Sequence, residues 1–404
     1  VGPVYFGFVS WLVEQIRRDG IQRVHFLARE GYVIQQVYER FEAQRPLGLP
    51  RDYLYASRRL YGVASITDLD ERALALLVKK DLQSTVGEFL RSNGIDPAQH
   101  IEVLRAKGFS GPDERLRPGI DGERARGLLL ALKEAVLAFA ARERATLADY
   151  LKSLGFDQAQ RVAVVDVGWN GSMQKALAGL AEPLGLRAEL QGYYLGAFPR
   201  QVARPGDLRG YLIDQGGPGP RLRALWEGLY LLEFIFAAPH TSIVGLRRQG
   251  ERIMPMHREE PENPYQARAI ASMQQAALAF VDDMLATHGA VSVPASVVFT
   301  MLERLLLEPT KLEAQMLGDL SHDESLHGVF ETSHIARPTV HTDNPLRFGR
   351  LFREFRASHW KMGYLKRSKV NPAYKKALVL VREAPRLKEQ IRSALRRQAM
   401  GAAA

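Results

Sequence analysis

The chain has no cysteine, which excludes disulfides, thiolate metal sites and a cysteine nucleophile and is compatible with a reducing compartment. No stretch reaches the roughly 18 consecutive apolar residues of a transmembrane helix, so none is encoded here. The histidines lack metal-binding spacing: His322 and His327 stand at i and i+5, where one face of a helix would need i and i+4. There is no Walker loop, no Gly-x-Gly-x-x-Gly turn and no Gly-x-Ser-x-Gly elbow, which removes P-loop NTPases and α/β-hydrolases from consideration. Internal repeats and low-complexity tracts are also absent, apart from the terminal Gly-Ala-Ala-Ala. The opening VGPVYFGFVSWLVEQI carries neither an initiator Met nor the basic start and cleavage site of a signal peptide, and reads as the start of a fragment.

What remains is the composition of a soluble globular protein, 46% hydrophobic and 25% charged over 404 residues, enough for two domains or one domain with a large insertion. The net charge of +10 is unevenly placed. From Pro345 to Ala404 there are 16 Lys and Arg against 3 Asp and Glu, whereas the rest of the chain has 39 against 42. A near-neutral body with a basic tail suits an anionic partner: an acidic membrane surface, a polyanionic polymer or nucleic acid. A solvated helical face would look the same.

Hydrophobic periodicity predicts an α/β fold, a small, mostly parallel Rossmann-like sheet with a large helical insertion and a helical C-terminal region. Residues 1–69 form the first part of the α/β core. An amphipathic helix over Tyr5–Arg18, with Phe8, Leu12 and Ile16 on one stripe, is followed by a strand from Gln22, a helix over Tyr32–Ala43 and a strand over Asp52–Arg58. Residues 70–155 are helical throughout and read as an inserted cap. Residues 156–260 complete the core, with a strand at Val162–Val167, a helix from Gly171, a strand at Leu190–Phe198, a short strand at Gly210–Asp214, one apolar helix over Leu222–Ala238 and a hairpin turning at Gln249-Gly250. Pro261 to Pro264 is a linker; residues 261–344 are helical and 345–404 form the basic helical tail.

Two strand-loop-helix signatures carry the functional signal. In VAVVDVGWNGSMQ a hydrophobic strand delivers Asp166 to its carboxyl end. Gly168 and Gly171 permit unusual backbone, and Asn170 to Ser172 are placed to cap the next helix. The exposed N–H groups of such a helix start favour phosphate, and Trp169 would stand beside it as a wall. A plain tight turn, with Asp166 bonded to backbone amides, fits the same residues. In VHFLAREGY the strand ends on Arg29 and Glu30, and Gly31-Tyr32 opens a helix. Arg29 offers a planar fork for phosphate or carboxylate, while Glu30 suits a general base, a metal ligand or a sugar-hydroxyl acceptor. An ion pair between Arg29 and Asp166 is the structural alternative.

Ser57, Arg58 and Arg59 end the Asp52–Arg58 strand and would add guanidinium groups to the same rim. Glu233, alone on an apolar helix, must have a partner, and His240 or Arg59 would satisfy it within the core. Asp68 and Asp70 resemble a phosphatase nucleophile pair, but no hydrophobic strand precedes them and they read as a helix cap.

Taken in order, GPVYFGFVSWL, FLAREGY, YASRR, VVDVGWNGSMQ, GYYLG and LLEFIFAAPHTSIVGL span about 240 residues. This series resembles the downstream region of the predicted haloacid-dehalogenase-superfamily (HAD-like) hydrolases of bacterial surface polysaccharide biosynthesis. The family usually has Arg-Asp-Gly where this chain has Arg29-Glu30-Gly31, which keeps the charge and lengthens the arm. It also carries an upstream Asp-x-Phe-Asp-Thr segment that these 404 residues lack. The resemblance implies a place among surface-polysaccharide and glycosyltransferase gene sets; the expected location is cytoplasmic, with the basic tail as the element that would dock the protein peripherally at the inner membrane.

Three functions follow as expectations. The first is an enzyme that binds a phosphorylated sugar, nucleotide sugar or phosphodiester, with Asp166 and Glu30 catalytic. Its substrate-binding residues are Arg29, Tyr32, Ser57, Arg58, Arg59, Gly168, Trp169, Asn170, Gly171 and Ser172. Mg²⁺ would suit such a site of oxygen ligands and phosphate without being required by it. The second is a phosphoribosyltransferase-like enzyme, by analogy of loop arrangement. The third is a non-catalytic module that docks a glycosyltransferase partner at the membrane face.

Overall fold

Strands β1 (Arg23–Leu27), β2 (Arg51–Leu54), β3 (Arg161–Trp169), β4 (Glu189–Ala197) and β5 (Leu208–Asp214) make one parallel sheet in the order β2-β1-β3-β4-β5. They are seen in a computed structural model that describes residues 1–78, 84–198, 207–214, 219–259, 263–323, 332–339 and 348–382. His327, Pro261 and tail residues 383–404 lie outside the described residues. The expected α/β class is therefore the fold of the chain, and GYLID belongs to the edge strand β5.

Helices cover both faces of the sheet. On one face, α1 (Gly2–Arg18) and α2 (Gly31–Gln44) pack on Phe26, Val165, Tyr193 and Tyr211 through contacts such as Phe26 with Tyr38 and Trp11 with Tyr193. Pro3 starts α1, where its missing N–H costs nothing. That helix buries Tyr5, Phe6, Val9 and Val13 as well as the expected stripe of Phe8, Leu12 and Ile16, because more than one neighbour covers it. On the other face lies α3 (Arg58–Ala64). The insertion follows as α4 (Glu71–Leu77), α5 (Val86–Ser92), α6 (Ile101–Ala106), α7 (Gly122–Ala131) and α8 (Lys133–Ser153), and then come α9 (Ser172–Gly179) and α10 (Ala181–Leu184).

The insertion has its own core, in which Val86, Leu90, Leu104, Leu128 and Val136 are buried together. Its last helix is shared. The first half of α8 joins that core, whereas Leu147, Tyr150 and Leu151 pack with Leu27, Val162 and Val164 beneath the sheet. Asp70 caps α4 by accepting from the Ala73 amide at 2.8 Å, which accounts for the Asp68-x-Asp70 pattern as a helix cap.

Two expectations are corrected. The strand predicted over Asp52–Arg58 stops at Leu54, its last partner being Leu27, the residue at which β1 itself ends. With no ladder left, Ser57 turns the chain into α3 and accepts from the Leu60 amide at 3.0 Å. The helix expected over Leu222–Ala238 is two helices, α11 (Gly219–Glu227) and α12 (Leu229–Ile235), with Gly228 between them. A hairpin of β6 (Ile243–Gln249) and β7 (Arg252–His257) follows, turning at Gly250 as expected, and then α13 (Pro264–His288), α14 (Ala295–Leu307) and α15 (Lys311–Gly318). The last described elements are β8 (Ser321–Asp323), β9 (Thr332–His334), α16 (Phe348–Ala357) and α17 (Lys361–Arg367).

The chain forms two compact units. The larger comprises Val1–Leu222, Leu232–Leu302 and Asp323–Ser333, and contains the sheet and its insertion. The smaller comprises Arg223–Leu231, Glu303–His322 and His334–Ala404. Its centre is Trp360, whose indole N–H donates to the Leu306 carbonyl at 2.9 Å, while Glu227 joins the guanidinium groups of Arg223 and Arg382. Among the described residues no helix is long and apolar enough to cross a membrane.

Candidate functional site

The sheet order reverses direction between β1 and β3, since the chain leaves β1 for β2 on one side and β3 for β4 on the other. Right-handed crossovers running opposite ways put α2 and α9 on opposite faces, so the loops after β1 and β3 part and leave a crevice at the carboxyl ends. Arg29 and Glu30 follow β1, and Asp166 to Trp169 close β3. Phe26 pairs with Val165, which sets the loop of residues 28–30 alongside residues 167–169. The peptide bonds Ala28–Arg29 and Gly168–Trp169 are both cis.

Close approach dictates the glycines here. Gly168 has φ 125°, and a Cβ on it would stand 2.2 Å from the Gly196 carbonyl oxygen of β4. A Cβ on Gly31 would meet the backbone carbon of Phe26 at 2.7 Å, so only glycine lets α2 start so near β1.

Asp166 is 9% exposed and faces the α3 side of the sheet, paired in register with Tyr194. One carboxyl oxygen accepts from the Val167 amide at 2.8 Å. Burial holds its pKa well above the ordinary carboxylate value, and the neighbouring Glu30 and Glu233 push it the same way against the opposing pull of Arg58. The protonated form of Asp166 is thereby favoured relative to an exposed carboxyl. Glu233 on α12 is pushed up to about 7, first by burial and then by Glu30, with Arg29, the Trp169 N–H and Arg58 opposing. Three carboxyl groups and two guanidinium groups therefore share one electrostatic neighbourhood. Among the described residues no group of three or more His, Asp or Glu side chains is disposed to hold a metal ion.

The aromatic wall is completed by β2 and the chain before β6. The Tyr53 hydroxyl lies 2.8 Å from His240 Nε2 and 3.3 Å from the Arg29 carbonyl oxygen. His240 Nδ1 is 2.9 Å from the Thr241 carbonyl, an acceptor only, so in the neutral ring Nδ1 carries the proton and Nε2 accepts from Tyr53. Burial lowers the His240 pKa and favours that neutral form. Tyr32 stands edge-on to both rings, 5.9 Å from Tyr53 and 6.4 Å from His240.

The crevice brings together Asp166, Glu30, Arg29, Arg58, Tyr32, Gly168 and Trp169 from the sequence-derived set. The ion pair of Arg29 is with Glu30 at 3.8 Å, which replaces the expected pairing with Asp166. Arg59 points elsewhere: it donates to the Ser92 carbonyl on α5, and Glu143 is its nearby acid. Ser57 is occupied as the cap of α3, where it sets the direction of Arg58. Gly171, with φ 62°, is the cap residue of α9, and neither Asn170 nor Ser172 supplies the expected side-chain cap; both are exposed. Trp169 is buried and stacks on Phe198 at 5.1 Å; its N–H has no close hydrogen-bond partner among the described residues and favours ionised Glu233.

Glu233, Tyr53 and His240 enter the site beyond the sequence-derived set. Glu233 had a visible signal, one acid inside LLEFIFAA, but its partners are the strand-end loops and not the core contacts expected from that helix. Comparison of the chain with protein-family models finds no match, and comparison with curated proteins finds none either.

Proposed function

We propose that the crevice between β1 and β3 is the active site of an enzyme that makes or breaks a phosphate-ester bond of a phosphorylated sugar, nucleotide sugar or sugar phosphodiester. The observation that carries this reading is the pair of carboxyl groups with raised proton affinity, Asp166 and Glu233, set beside the guanidinium groups of Arg29 and Arg58 at the switch point of a parallel sheet. Arg58, exposed on the first turn of α3, and Arg29 hold the phosphate oxygens. Protonated Asp166 gives its proton to the departing oxygen. Glu233, which gains and loses a proton near pH 7, takes one from the incoming hydroxyl or water, and Glu30 keeps that proton affinity high. This assignment moves the base from Glu30 to Glu233. If Mg²⁺ takes part, substrate phosphate has to supply part of its ligand set, and the metal would supply charge neutralisation. The resemblance to hydrolases of surface polysaccharide synthesis agrees with a sugar-phosphate substrate.

The test is turnover of a panel of sugar phosphates and nucleotide sugars by the full chain. Asp166→Asn should lower kcat by on the order of 100-fold or more, as expected for loss of a general acid. Arg58→Ala should chiefly raise KM. Turnover by Asp166→Asn at the wild-type rate would refute the assignment.

A second reading, docking at an acidic membrane surface beside a glycosyltransferase, draws on α16. Arg350, Arg353 and Arg356 lie on its exposed side, opposite buried Leu351 and Phe355.

A further inference from the structure

A groove of about 410 Å³ begins at Tyr32 and runs between α2 and α13. Its lining is polar but carries no uncompensated charge, because Arg40 and Asp282, the ionic residues in it, pair at 2.8 Å. Its carboxamides are largely uncommitted. Gln275 and the Tyr32 hydroxyl make no side-chain hydrogen bond among the described residues, and Gln36 has only a 3.5 Å contact to the Tyr32 carbonyl. The contrast is Gln274, next in the chain, whose amide is spent on the Ala237 carbonyl at 2.7 Å. Half-buried Leu278 and the exposed methyl groups of Ala271 and Ala279 add apolar surface to the lining.

We propose that this groove is the subsite for the uncharged, polyhydroxylated part of the substrate, the sugar residues attached to the phosphate; the inference rests on the phosphate-ester reading of the neighbouring crevice. A carboxamide both donates and accepts, as a sugar hydroxyl does, and a Tyr ring offers an apolar body with a polar tip. Among the described lining residues an anionic ligand would find no free cation, since Arg40 is paired with Asp282. An apolar peptide would bury Gln36 and Gln275 against carbon, at a cost for each unpaired amide. Position supports the same conclusion: Tyr32 packs edge-on against Tyr53, whose hydroxyl lies within the fields of Glu30 and Asp166. A chain leaving the acid-base centre past Tyr32 therefore enters the groove.

The experiment is calorimetric titration of the full chain with inorganic phosphate and with 1-phosphates of gluco-, galacto- and manno-configured mono- and disaccharides. At least one disaccharide phosphate should bind 10-fold or more tightly than its monosaccharide counterpart. Gln36→Leu and Gln275→Leu should erase that gain and leave the affinity for inorganic phosphate unchanged. No gain anywhere in the set, or a gain that persists in both leucine variants, would overturn the subsite. Failure of inorganic phosphate to bind, or binding indifferent to Arg58→Ala, would instead bring down the reading of the crevice.

Discussion

At the scale of single residues, the crevice is defined by proton affinity. Glu233 is raised from 4.5 to about 7, so activity that uses it as a base should rise with an inflection near pH 7. In Glu233→Gln that inflection should vanish from the pH profile of kcat; a wild-type profile in the variant would exclude the role. Gly168 gives a structural prediction. Alanine there would need φ 125° and would clash with the Gly196 carbonyl, so Gly168→Ala should lose about 2–3 kcal/mol in chemical denaturation. Asp166, Arg29 and Glu30 were legible because Asp166 lies near the carboxyl end of apolar β3 and Arg29 and Glu30 lie just past the end of β1, so the chain carries them to the strand ends by geometry alone. Glu233 and His240 were visible as oddities, but their partners are far off in sequence and only folding brings them near. Arg59 shows the converse, since its neighbour Arg58 joins the rim while one residue further round the same helix faces Ser92.

At the scale of elements, the first turn of α3 does what a strand end was expected to do. β2 stops at Leu54 because β1 offers no further partner, and a local alternation of aromatic residues does not reveal where a neighbouring strand ends. Ser57 then positions Arg58 as a cap residue. Ser57→Ala should cost about 1 kcal/mol of stability. It should also weaken phosphate binding, and Ser57→Asp, which restores the cap, should recover the stability. Strand β1 carries a second titration. His25 is fully buried, stacked on Phe156 at 4.4 Å, and burial lowers its pKa to about 3. The unfolded chain binds that proton from pH 6.5 downward, so the contribution of His25 is fully present above 6.5 and is lost as the pH drops toward 3. In a Glu233→Gln background, which removes the opposing titration of that carboxyl, His25→Phe should abolish the acid loss in thermal melts recorded between pH 4 and 7.

At the scale of the whole molecule, the same linkage sets a second limb of opposite sign. Glu233 has a folded pKa above its unfolded value, so the folded state holds the extra proton, and stability is lost as the pH rises from 4.5 through about 7. The full loss is on the order of 3 kcal/mol, and Glu233→Gln should remove it. The parallel sheet, the inserted helices and the hairpin were all readable from hydrophobic period and from the glycines at turns. The division into two units was not, since Arg223–Leu231 leaves the larger unit in the middle of an apolar run that gives no sign of it. The arginines of α16 make the docking reading measurable: binding to anionic vesicles should fall steeply with salt and weaken by about 1 kcal/mol for each of Arg350, Arg353 and Arg356 replaced by Gln.

The most direct test of the central claim is a carbon-13 NMR titration of the glutamate side-chain carboxyls, with Glu233 assigned by its loss in Glu233→Gln, in the absence and presence of inorganic phosphate. The account predicts a midpoint near pH 7 that moves upward when phosphate joins Arg29 and Arg58, because a second anion there further disfavours the ionised carboxylate. A Glu233 carboxyl that titrates near 4.5 and ignores phosphate would contradict it.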